Sequence, residues 1–129
     1  MGYKHIDVEF METFYDGNDE FKVKMISMFM EKSPIYMNEI NEHLGQQNWR
    51  DLSALAHKFK ASIDFVGARN LKELVNEIEK SAKEGNVELI TSLVASVNSI
   101  WNEVLIELQS ELSTIKSEWV IKCNFNFCA

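Results

Sequence analysis

The sequence predicts an all-α protein: an up-and-down four-helix bundle with a short extra helix at its N-terminus. Three observations lead there. Apolar residues recur at spacings of three and four along most of the chain, the period of one helix face. Turn-forming residues are sparse, with one proline and five glycines in 129 residues, too few stops for the many strands of an all-β fold. The connections between the amphipathic runs are short, which favours antiparallel neighbours.

The first run, Phe10, Met11, Phe14 and Tyr15, is spaced as one helix face and ends at the turn sequence Asp16-Gly17-Asn18. Asp19 is placed to cap a second helix carrying Phe21, Met25, Met28 and Phe29, and the pattern resumes after Pro34 with Tyr36, Ile40 and Leu44. Because the stripe resumes without a polar loop, Ser33-Pro34 reads as a kink inside one long helix. The four methionines between residues 25 and 37 read as core filling. Gly45 to Asn48 forms the next turn. A third helix is expected from about Trp49 to Phe65, with Leu52, Leu55, Phe59 and Ser62 on one side. Gly67 breaks it. Leu71, Leu74, Val75, Ile78 and Ala82 then open a fourth helix, ended by Gly85-Asn86. The last helix carries Ile90, Leu93, Val94, Val97, Trp101, Val104, Leu105, Leu108, Leu112 and Ile115. These elements make one domain over residues 1–118. The tail over 119–129, WVIKCNFNFCA, alternates weakly as a strand would, yet has no second strand to pair with. Its structure stays open between folding back on the bundle and remaining loose.

Composition excludes several functions. The formal net charge is -7, and an acidic domain repels phosphate backbones, so no nucleic-acid partner is expected. No strictly apolar run exceeds about three residues, against the roughly 20 needed to span a bilayer. The start, MGYKHIDVEF, has no apolar signal core. A soluble cytoplasmic protein without a membrane partner is the expectation. Cys123 and Cys128, the two cysteines, are no disulfide framework and too few for a zinc site.

His57 is the functional lead. At about 100° per residue, its face of the helix holds Ser53, Ala54, Lys60 and Ala61, with Arg50 and Asp64 two turns away. Leu55 and Phe59 point roughly 160° away, which sets His57 opposite the buried stripe and into solvent. Small neighbours leave its ring open to close approach by a partner protein. Imidazole is substantially neutral at pH 7 and a competent nucleophile. Lys60, one turn along, would stabilise a phosphoryl group attached to the ring, with weaker positive potential from Arg50 and Lys58. His5 and His43 have no such setting and receive no role. Read from geometry alone, the same residues also describe an ordinary solvated helix face.

The stretch AHKFKAS, followed by GARNL and LVNEIE, resembles the histidine-containing phosphotransfer (HPt) domain family. His57, Phe59, Lys60, Ser62, Gly67 and Ala68 fit the places of its motif, and the similarity covers roughly residues 10–82. Ala61 stands where the family usually has glycine, adding a methyl group near the phosphorylation face. The resemblance implies a four-helix bundle whose exposed His57 relays a phosphoryl group between receiver-domain aspartates of response regulators or hybrid sensor kinases. Lys60 would be the charge partner and Gly67 would shape the turn into the next helix. Arg50, Ser53, Ala54, Lys58, Ala61 and Asp64 would form the docking face. It implies a phosphocarrier rather than an autonomous enzyme, with no cofactor or metal of its own; Mg²⁺ belongs to the receiver.

Three rivals stand beside this. A self-phosphorylating kinase fragment needs a glycine-rich nucleotide loop, which the scattered glycines do not form. A di-iron bundle needs Glu-x-x-His pairs, but Gly2, Ile40 and Ala54 lie three before the histidines. An interaction module that has kept the bundle without phosphotransfer is opposed only by His57 and Lys60.

Overall fold

The computed structural model describes residues 2–126, with side chains described through residue 118. Its five helices are α1 (Val8–Tyr15), α2 (Asp19–Gln46), α3 (Trp49–Asp64), α4 (Arg69–Glu84) and α5 (Val87–Asn126). Helices α2 to α5 pack cyclically, α2 on α3, α3 on α4, α4 on α5 and α5 back on α2, and α1 rests on α2. Side-chain pairs give the direction of the closing contact: Lys22 meets Glu111, Trp101 Nε1 donates to Ser33 Oγ at 2.8 Å, and Asn41 meets Asn98. Rising numbers in α2 meet falling numbers in α5, so these helices are antiparallel, as in an up-and-down bundle.

Helix starts and ends follow local chemistry. Asp7 and Asn18 cap α1 and α2, their side chains accepting from the amides of Phe10 and Phe21. The α2 cap is thus Asn18; Asp19, expected there, is the first helical residue. One helix runs through Pro34. Gly45 lies inside α2, and the left-handed residue that ends it is Gln47. Gly85 ends α4 in the left-handed region, where lacking a side chain costs nothing.

The core is built from one stripe of each helix: Ile26, Phe29 and Ile40 from α2, Leu52, Phe59 and Ile63 from α3, Leu71, Val75 and Ile78 from α4, and Ile90, Val97, Val104 and Leu108 from α5. Each such side chain contributes about 1.5–3 kcal/mol when fully buried. Of the α2 methionines, Met37 is buried, while Met25 and Met30 lie partly buried against the core. The first run divides: Met11 and Tyr15 are buried, whereas Phe10 and Phe14 are exposed. Residues 87–118 of α5 are long and apolar enough by composition to cross a bilayer, but their buried members are core residues of the bundle.

Two features exceed the periodic pattern. Lys22, 2% exposed, lies on the buried side of α2 and donates to Glu12 of α1 and Glu111 of α5, both at 2.9 Å. Burial pushes its ammonium down, but the hydrogen bonds to Glu111 and Glu12 prevail and hold its pKa above the ordinary lysine value. Ahead of α1, the backbone amides of Lys4, His5 and Ile6 all donate to the carboxylate of Glu107, and His5 Nε2 lies 3.0 Å from Glu103. The N-terminal segment is strapped to α5. The tail is helical as far as Asn126, a continuation of α5 in place of the strand-like or loose segment considered from sequence. Cys128 lies outside the described residues, as does the side chain of Cys123.

Candidate functional site

Helix α3 is held in rotation by its buried face. Phe59 stacks between Phe29 (6.2 Å) and Tyr36 (5.1 Å) of α2. That lock turns His57 to the opposite side, where its side chain is 71% exposed. Ala54, Lys58 and Ala61 are exposed beside it. Ser53 is not: it is buried and its hydroxyl donates to the Glu79 carbonyl at 3.1 Å, joining α3 to α4. Asp64 is exposed and pairs with Lys72 of α4 at 2.7 Å, and Arg50 is exposed two turns before the histidine.

Half of the site comes from α4, outside the α3 stretch that the sequence singles out. Glu79, 13% exposed, places Oε2 3.1 Å from His57 Nδ1 and Oε1 2.7 Å from Lys60 Nζ. Lys60, 19% exposed, also donates to Asn76 Oδ1 at 2.9 Å. Lys83 Nζ is 3.9 Å from Glu79 Oε2. Asn76, Glu79 and Lys83 are spaced by three and four, one face of a helix. That spacing is visible in the sequence; that the face turns toward α3 is not.

The electrostatics give the ring its polarity. The Lys60 ammonium holds the Glu79 carboxyl below the usual carboxylate range, against the opposing effect of burial and with help from His57. An ionised carboxylate only accepts, so the nitrogen facing it carries the proton. With Nδ1 as N–H, Nε2 keeps the lone pair. The other side of the site is a groove of about 750 Å³ between α3 and α4, lined by Trp49 and Ala82 and by Arg50, Lys58 and Lys83 beside His57. Among the described residues, no three His, Cys, Asp or Glu side chains converge where a metal ion could sit.

Gly67 sits at the end of the same helix with φ +63°, and its carbonyl accepts from the Asp7 amide at 3.2 Å. A Cβ there would come 3.2 Å from both Asp7 O and Phe10 Cδ2. The Tyr15 hydroxyl donates to Phe65 O at 2.6 Å, and burial pushes its pKa up to about 12. So α1 is fastened to the α3–α4 turn. There Phe10, Phe14 and Phe21 are exposed, Phe14 lying edge-on to Phe65 at 5.9 Å.

No curated protein sequence matches significantly. The crystal structure of histidine-containing phosphotransfer protein B (HptB) from Pseudomonas aeruginosa PAO1 superposes with a TM-score of 0.79 at 22% identity, covering 88% of this chain and 98% of that one; this likeness shows a shared fold. The Hpt domain family model matches residues 24–118, which take in all of α3 and α4 and most of α2 and α5. The chain belongs to the Hpt domain family.

Proposed function

We propose that the protein is a phosphocarrier: His57 takes a phosphoryl group from the aspartyl phosphate of one receiver domain and yields it to another. The observation that carries this reading is the histidine's asymmetry: Nδ1 is tied to an ionised Glu79 while the side chain as a whole is 71% exposed. In the forward step the Nε2 lone pair attacks phosphorus as the acyl-phosphate P–O bond breaks. The aspartate carboxylate leaves with the electron pair. The proton stays on Nδ1, held against Glu79, whose negative charge balances the developing imidazolium. Lys60 supports this by keeping Glu79 charged and in place.

Mg²⁺ and the remaining catalytic groups are assigned to the receiver, and the setting to the cytoplasm. Ala54, Lys58 and Ala61 leave the ring clear for docking. The exposed Phe10, Phe14 and Phe21 extend an apolar contact surface past the end of α3.

The test is His57→Gln. The variant keeps its helical circular dichroism and loses acid-labile labelling by a phosphorylated receiver. Equal labelling of both proteins would remove His57 from the role, and no labelling of either would leave a bundle that only binds.

A further inference from the structure

A phosphoryl group on His57 carries negative charge that some ammonium must face, and the structure separates the two lysines best placed to do so. Lys60 is committed. Its ammonium lies 2.7 Å from Glu79 Oε1 and donates to Asn76 at 2.9 Å. Meeting a phosphoryl group would require leaving both, which would also withdraw the charge that keeps Glu79 ionised.

Lys83 is in the opposite condition. It lies one turn beyond Glu79 on α4, its side chain is 67% exposed, and its nearest carboxylate oxygen is 3.9 Å away, outside hydrogen-bond distance. That oxygen, Glu79 Oε2, is the same atom that receives His57 Nδ1 at 3.1 Å. Lys83 and the imidazole thus face the same carboxylate oxygen and line one groove, and among the described residues the Lys83 donors, on a flexible stem, make no hydrogen bond. The other charged groups of this groove are Arg50 and Lys58 on α3 and Glu84 on α4. Arg50 is two turns from the ring, Lys58 points about 100° away around α3, and Glu84 has the wrong sign.

Resting on the phosphocarrier reading, we propose that Lys83 is the ammonium that meets the phosphoryl group on His57, and that Lys60 acts on the ring only through Glu79. Lys83 is a charge partner of the phosphorylated state; Lys60 is a positioning residue.

The experiment loads the whole protein with potassium phosphoramidate, Nε2 displacing ammonia from phosphorus, so no receiver is needed. The ³¹P signal of the phosphohistidine is then titrated with pH. An adjacent cation favours the phosphoryl dianion, so Lys83→Gln should raise the phosphoryl pKa by about half a pH unit, and Lys83→Arg should hold it near wild type. Lys60→Gln should leave that pKa in place and instead disturb the His57 tautomer, read from imidazole ¹⁵N shifts. An unchanged phosphoryl pKa in Lys83→Gln overturns the proposal. So does a rise in Lys60→Gln with the tautomer intact. Failure of His57 to take the group from phosphoramidate overturns it together with the phosphocarrier reading. A loaded protein that passes its group to no receiver defeats the relay alone, and the ³¹P comparison still decides the role of Lys83.

Discussion

Replacing Glu79 by Gln tests the polarity of the histidine directly. The amide is the same size but has one acceptor oxygen, where the carboxylate serves His57 and Lys60 with two. A hydrogen bond to a charged group contributes about 1.5–3 kcal/mol net, a neutral one about 0.5–1.5 kcal/mol. Glu79 is largely shielded but His57 is mostly in water, so the lower end of each range applies and the substitution removes about 1 kcal/mol. That is about fivefold in the ratio of the tautomer with the proton on Nδ1 and the lone pair on Nε2 to its alternative. The rate of phosphoryl uptake from a receiver should fall by a similar factor. Long-range ¹⁵N–¹H correlation of the imidazole reads the tautomer and rapid-quench labelling reads the rate. An unchanged tautomer with a rate within twofold of wild type would refute the reasoning. Acid should release the same contact. Because the folded-state pKa of Glu79 is depressed, its hold on the ring is complete above the ordinary carboxylate range and disappears as pH falls through that depressed value. The Gln variant should lack this acid transition.

Two further substitutions probe what holds the site in place. Lys22→Ala leaves Glu111 buried without its partner, while Glu12, 55% exposed, regains water. A loss of about 3 kcal/mol is expected in urea unfolding, and pairing Lys22→Met with Glu111→Leu should recover most of it; no loss in the single variant would contradict the buried Lys22–Glu111 pair. The Lys22 contribution is fully present at neutral pH and should fade only as pH rises through its raised pKa. Gly67→Ala places a methyl-bearing residue at φ +63° with contacts of 3.2 Å to α1. It should cost about 1–2 kcal/mol and speed amide exchange in α1 while His57 still accepts label; unchanged stability and exchange would show that the turn tolerates a side chain.

Much of this was legible along the chain because helical periodicity is a local property. The stripe Leu52, Leu55, Phe59 set His57 outward from sequence alone, and the structure places it there. The same reasoning put Ser53 on the open face, where packing of α4 buries it. It also treated Phe10, Met11, Phe14 and Tyr15 as one face, which the body divides into two buried and two exposed residues. Lys22 is a charge on the buried side of α2, and only its distant partners explain it.

The sequence by itself determined the helices, their order and the exposed histidine, since each depends on residues within two turns of one another. The tertiary structure decided which nitrogen of that histidine faces a carboxylate and where Lys60 points. Those follow from Glu79 and Asn76, which lie 22 and 16 positions from His57 and Lys60 in the chain. They reach α3 only because two amphipathic helices turn back on each other and pack at one rotation. The period of a helix names its faces, but only packing against a neighbour decides which face meets which.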